Sequence, residues 1–185
     1  MMESKLNLLS ILTLSFLLIS CQPEKKKDKD AILKYKVPEH LSKKQTSYLL
    51  ISHADIQDSN KKNAELSEKG FEQAAFWGNY FSDKEIDLFY TSTETYAFQT
   101  MIPIVHPYKG QVRNIENDFK FNQDFWSKTY GQKSIIVSSD QQNVDFVNDI
   151  LQYNKYKIKD IENESYLIKV NIDQKRKIKD TLIQF

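Results

Sequence analysis

Between Thr46 and Ala74 the sequence reads TSYLLISHADIQDSNKKNAELSEKGFEQA, and this stretch constrains the fold more than any other. Ser47 to Ile51 is a short apolar run bounded by polar residues. It suits a buried strand that delivers His53 to the loop at its end. After a polar loop, Ser67 is placed to accept hydrogen bonds from the first free amides of a helix. Phe71, Ala74, Ala75, Gly78 and Phe81 follow at the spacing of one helical face, so the helix can lie back across the strand. A histidine at a strand end facing a crossover helix is where open α/β sheets place their chemistry.

The rest of the chain continues the alternation. Ile86 to Tyr90 is a second apolar run, followed by a helix with Ala97, Thr100, Met101 and Ile104 on one face. That helix is capped by Ser92 or Thr93 and disturbed near its end by Pro103. Gln111 to Ile115 reads as a third strand, and Asp124 to Tyr130 as one or two helical turns before Gly131. Lys133 to Ser138 is a strand, and Asp140 to Tyr153 carries Val144, Val147 and Leu151 at helical spacing. Ser165 to Ile172 and Lys177 to Phe185 have strand character and are separated by the polar Asp173-Gln174-Lys175-Arg176, a hairpin signal. The 185 residues suffice for one well-buried domain. The pattern predicts an α/β three-layer sandwich: a mostly parallel central sheet flanked by helices, with a C-terminal antiparallel hairpin.

Residues 1–20 stand apart. Lys5 followed by the apolar run Leu6 to Ile19 has the shape of a secretory signal and is too short for a membrane span. It ends in Leu18-Ile19-Ser20-Cys21, which resembles the lipobox of bacterial lipoproteins, where the cysteine is lipidated and becomes the new N-terminus. Cys21 is the only cysteine, so no disulfide can form within the chain. The expected partner is therefore a lipid bilayer, bound through acylated Cys21. Gln22 in place of an aspartate at the next position suggests the outer membrane, on its periplasmic or surface face. From Gln22 to Gln45, eight lysines, four acids and two prolines read as a charged, solvated tether, or alternatively as a basic strip on anionic headgroups diluted by Glu24, Asp28, Asp30 and Glu39. Removing residues 1–20 takes away Glu3 and Lys5, leaving 25 basic against 24 acidic residues. Such balance gives no argument for nucleic acid as a partner.

From about Thr46 to Phe185 the chain resembles the histidine phosphatase superfamily, with its phosphoglycerate-mutase-like fold. In that family the first strand ends in Arg-His-Gly or Arg-His-Ala; here it ends in Ser52-His53-Ala54. The motif Leu-Ser/Thr-x-x-Gly-x-x-Gln-Ala is present as Leu66, Ser67, Gly70, Gln73 and Ala74. Tyr90, Thr91, Ser92, Gln99, Thr100 and Pro103 match the next signature, but Tyr96 stands where an arginine belongs. A later family strand runs into Gly-His-Ser, whereas Ile135-Ile136-Val137 runs into Ser138-Ser139-Asp140, with Ser139 in place of the second histidine.

The resemblance implies that His53 is the phospho-accepting nucleophile, or its vestige, in a substrate pocket with Ser52, Ser92, Tyr96 and Ser139. Phosphoryl transfer depends on positioning and on donors that spread charge over the phosphoryl oxygens, a task suited to arginine forks. A serine or tyrosine hydroxyl brings no charge, and losing one such donor costs on the order of 3 kcal/mol. Arg113 and Arg176, the two arginines of the chain, lie outside the matched motifs. Asp55, Glu116, Asp118 and Asp140 are candidates for the general acid, each also readable as a loop acid or helix cap. His40 and His106 lie away from the motifs. No cofactor is expected, and no spacing suggests a metal site. The chain thus reads as a pseudoenzyme or binding module for a small phosphorylated or polar ligand, with a weak or re-specialised phosphomonoesterase acting through His53 as the alternative. A third reading is an interaction surface on the hairpin around Lys175, Arg176, Lys177 and Lys179, set against an edge strand whose lysines discourage aggregation.

Overall fold

A computed structural model describes residues 31–37, 45–58, 63–116, 118–161 and 165–185. The expected signal sequence, Cys21 and His40 lie outside them. The first strand, β1 (Thr46–Ser52), sits in the middle of the sheet, so nearly every residue of it is buried. Tyr48 and Leu50 join one apolar cluster, while Leu49 and Ile51 join the cluster on the opposite face. That alternation makes β1 the wall between two cores.

The other strands are β2 (Leu88–Ser92), β3 (Val112–Ile115), β4 (Lys133–Ser138), β5 (Tyr166–Ile172) and β6 (Ile178–Gln184), and the sheet order is β3-β2-β4-β1-β5-β6. β1 pairs in parallel with β4, as β2 does with both β3 and β4. β5 and β6 close the sheet as an antiparallel hairpin beside β1. The helices are α1 (Glu68–Phe81), α2 (Thr95–Val105), α3 (Gln123–Thr129) and α4 (Asp140–Leu151). Side chains of α1 and α2 complete one core, and those of α3 and α4 the other. The α/β three-layer sandwich with a mostly parallel sheet and a terminal hairpin is thus the observed fold.

Several details differ from the sequence reading. The face that α1 buries runs through Gly70, Ala74, Trp77, Gly78 and Phe81, while Phe71 is 52% exposed and Ala75 is also exposed. The true stripe starts on a glycine, which apolar patterning does not register. At Gly78 a Cβ would lie 2.9 Å from Pro103, so the missing side chain lets α1 and α2 approach closely. Glu94, not Ser92 or Thr93, is the N-cap residue of α2, with no side-chain cap bond, and the helix runs past Pro103 to Val105.

The largest correction concerns the tether. Within the span expected to be solvated, residues 31–37 pack on the domain: Leu33 is 1% exposed, and Ile32 bridges Lys177 in antiparallel sense. The hydroxyl of Tyr35 donates to Phe121 O at 2.8 Å, and Trp126 Nε1 donates to Lys36 O at 3.0 Å. Three apolar residues, Ala31, Leu33 and Tyr35, alternate through the lysines and supply the buried side.

Candidate functional site

At the carboxyl end of β1 the chain leaves the sheet through a loop at His53, Ala54 and Asp55, and the surrounding side chains are spent on holding that loop. His53 N donates to Ser138 O at 3.1 Å. Ala54 N donates to Thr100 Oγ1 at 3.0 Å and Asp55 N to Gln73 Oε1 at 2.8 Å. Across the loop, Leu66 N donates to Gln99 Oε1 at 2.8 Å, and Ser67 N donates to Asp55 O at 3.0 Å. Ser67 Oγ caps α1 by accepting from Gly70 N and donates in turn to Asp55 Oδ2 at 2.5 Å. A Cβ on Gly70 would lie 2.0 Å from Asp55 O, so only glycine lets the first turn of α1 meet this loop. A backbone amide buried without a partner costs about 1–3 kcal/mol, which explains why amide and hydroxyl side chains surround the turn.

Above the turn lies a cleft of about 380 Å³ lined by Ser52, His53, Asp55, Lys69, Gln73, Asp140 and Tyr166, among others. His53 Nδ1 lies 2.9 Å from Ala54 O. A carbonyl can only accept, so Nδ1 carries a proton, and in the neutral ring the lone pair is then on Nε2. The ring of Tyr96 lies against that of His53, centroids 4.4 Å apart. Burial, and secondly the charge of Glu94, push the Tyr96 hydroxyl above its ordinary value.

The floor of the cleft is a hydrogen-bonded network. Tyr166 donates to Asp140 Oδ1 at 2.9 Å and accepts from Asn143 Nδ2 at 3.0 Å. Asn143 also donates to Ile51 O and accepts from Ser138 Oγ. The Tyr166 hydroxyl is pushed well above its ordinary value, first by burial and then by the charge of Asp140. In formal charge the cleft holds two carboxylates, Asp55 and Asp140, against one ammonium, Lys69, among the described residues that line it.

The expected site residues therefore separate. Ser52 and His53 share the cleft, and Tyr96 packs on His53. Ser139 instead caps α4 by accepting from Gln142 N and lines a different cleft, of about 810 Å³, with Asp118 and Lys34. Ser92 is buried at the end of β2, its hydroxyl without a partner among the described residues. Of the four acids named as candidates, Asp55 and Asp140 reach the cleft; Glu116 receives Gln142 Nε2 on its carbonyl. His106 lies in a short turn after α2. Arg113 donates to the Tyr90 hydroxyl on the β3 side of the sheet, and Arg176 sits in the β5–β6 turn. Lys69 and Tyr166 were missed as site residues. Lys69 lies inside the Leu66-to-Ala74 motif, where the start of a helix facing the loop was the available signal; nothing local marks Tyr166. Among the described residues no group of three or more His, Cys, Asp or Glu side chains is placed to hold a metal ion.

No family model and no curated protein sequence matches the chain. Solved structures do. A putative phosphohistidine phosphatase SixA from Agrobacterium tumefaciens aligns over 75% of this chain and 95% of its own, at 17% identity and a TM-score of 0.56. Phosphoserine phosphatase from Entamoeba histolytica, in complex with 3-phosphoglyceric acid, covers 74% and 95% at 13% identity and a TM-score of 0.55. Phosphoglycerate mutase from Bacillus anthracis covers 77% and 93% at 10% identity and a TM-score of 0.54. The fold is that of the histidine phosphatase superfamily.

Proposed function

We propose that this histidine-phosphatase-like domain is a membrane-anchored binding module, a pseudoenzyme whose cleft receives a small neutral or cationic polar ligand instead of a phosphoryl ester. The observation that carries this reading is the charge of the cleft, two carboxylates against the single Lys69 ammonium among its described residues. A phosphoryl group entering there meets net repulsion where transfer chemistry needs several charged donors. Tyr166 and Trp77 line the cleft beside the carboxylates, a combination suited to polar molecules with an apolar or cationic face. Acylation of Cys21 would hold the domain in the cell envelope, at the outer membrane. Fatty-acid labelling that disappears in Cys21→Ser checks that part.

The test of the cleft is calorimetric titration with tungstate, the anion present in a solved SixA protein histidine phosphatase of this fold, together with turnover of an aryl phosphate. No tungstate heat and no turnover sensitive to His53→Ala is the expected result. Tungstate binding together with turnover abolished by that substitution overturns it.

A second reading rests on the His53 tautomer and on Lys69. An imidazole with its lone pair on Nε2 is a competent nucleophile, and one cation faces the same cleft. As a weak phosphomonoesterase the protein would form phosphohistidine at His53. Brief exposure to labelled phosphate donors, followed by alkaline workup and mass spectrometry, separates the two readings.

A further inference from the structure

The segment 31–37 is the first described part of the chain after Cys21. Ile178 N donates to Ala31 O at 2.9 Å, and Leu33 N donates to Arg176 O at 3.0 Å. Arg176 Nη1 donates to Tyr35 O at 3.3 Å. These bonds seat the segment on the outer edge of β6, at the β5–β6 turn. Two groups of basic residues far apart in sequence are thereby joined. Lys34 and Lys36 of the segment and Lys175, Lys177 and Lys179 of the hairpin are exposed, with Arg176 half-buried between them; Lys34 also lines the cleft of about 810 Å³, whose acids are Asp118, Asp145 and Asp149. The turn contributes one carboxylate, Asp173, whose Oδ1 is occupied by the amides of Lys175 and Lys177. Ile32, 54% exposed, stands among these cations.

The candidate cleft lies at the other end of the sheet. Tyr166, in the cleft, and Ile172, at the turn, are the two ends of β5, about 20 Å apart at 3.4 Å per residue. Cys21 precedes Ala31 by ten positions, a reach of at most about 35 Å. The described chain begins at this basic end, so an anchor at Cys21 brings it within reach of the bilayer.

We propose that this basic end is a docking surface for anionic phospholipid headgroups, which stands the domain on the membrane with its cleft facing away into the aqueous phase. Headgroup phosphates supply the complementary charge, and Ile32 is placed to enter the interfacial layer between them. A single acyl chain anchors marginally, and a polybasic surface is the kind of second signal that makes anchoring stable. The ligand of the cleft is then a soluble molecule and not a membrane lipid. Lasting attachment rests on the anchoring of Cys21 proposed above; the headgroup surface and the orientation it imposes do not, and the two are tested apart.

The chain from residue 21 onward carrying Cys21→Ser contains every described element and cannot be acylated. Its partition onto vesicles of mixed neutral and anionic phospholipid is measured by sedimentation, against vesicles of neutral phospholipid alone. Binding is expected to the anionic vesicles only, weakened by added salt. The triple variant Lys34→Gln, Lys175→Gln, Lys179→Gln should bind on the order of a hundredfold less, at about 1 kcal/mol per basic residue, with an unchanged thermal melt. Equal binding to both vesicle types, or no loss in the triple variant, overturns the surface. For orientation, single fluorophores on Gln174→Cys and Glu72→Cys in the same background are exposed to a headgroup-borne quencher. Quenching at position 174 and not at 72 is expected, and equal quenching overturns the orientation. If fatty-acid labelling of the native chain fails while the vesicle results hold, the anchor is wrong and the surface stands.

Discussion

The backbone beneath His53 and the side chains above it are organised in opposite ways. Beneath, each amide of the turn has its own acceptor, supplied by Ser138, Thr100 and Gln73, and Gly70 leaves room for the carbonyl of Asp55. Above, the histidine keeps a free Nε2 but faces Tyr96, Asp55 and Asp140, with Lys69 as the cleft's described cation. Holding a loop in shape needs neutral donors and acceptors at hydrogen-bonding distance. Holding a phosphoryl group in transfer needs concentrated positive charge. The described residues meet the first requirement and bring one ammonium, Lys69, to the second, so a histidine-phosphatase-like fold does not by itself establish phosphatase activity.

The comparison can be broken from the side of the turn first. Gly70→Ala puts a methyl group 2.0 Å from the Asp55 carbonyl oxygen, where neither backbone segment can yield without losing its bonds. Destabilisation of about 3 kcal/mol is expected, read as a lower urea midpoint. A wild-type midpoint would mean that the turn is not rigidly seated. The network between turn and cleft is probed by pH. Tyr166 has a folded pKa raised above its unfolded value near 10, so its contribution is complete below pH 10 and is lost as pH rises above it. Stability should fall there by about 1.4 kcal/mol per pH unit for this group, and Tyr166→Phe should flatten the alkaline limb by that slope. Tyr48, buried and also raised, remains as an internal control. The smallest effect sharpens the cleft side: Asp140→Asn keeps an acceptor for Tyr166 but removes one negative charge. Whatever residual tungstate affinity the cleft shows at millimolar anion should strengthen by about 1 kcal/mol, roughly fivefold, and an equally silent titration of both proteins at that concentration would show that the cleft charge does not control anion entry.

Much of this was legible in the sequence, for reasons of range. β4 was read to the residue, and the buried face of α2 was read in full, because strand and helix periodicities act within a few positions. The face of α1 was read partly, since its contact with the turn is made by Gly70, a residue that carries no hydrophobic signal. Residues 31–37 were misread because the eight lysines of the Gln22-to-Gln45 stretch dominate its composition, whereas Ala31, Leu33 and Tyr35 find their partners only in the folded domain. Ser139 was placed in the pocket by the family resemblance, where a histidine stands, but as the N-cap of α4 its hydroxyl accepts from a helix amide and the residue lines the other cleft.

The stretch from Thr46 to Ala74, taken alone, determined a strand, a histidine at its end and a helix returning over it, because those follow from local spacing and caps. Tertiary structure decided what surrounds the histidine. Setting β1 between parallel β4 and antiparallel β5 brings Asp140 and Tyr166 beneath Ser52 from positions about a hundred residues later. The charge of a cleft is a sum over side chains that meet only through the sheet order, and no single segment carries it.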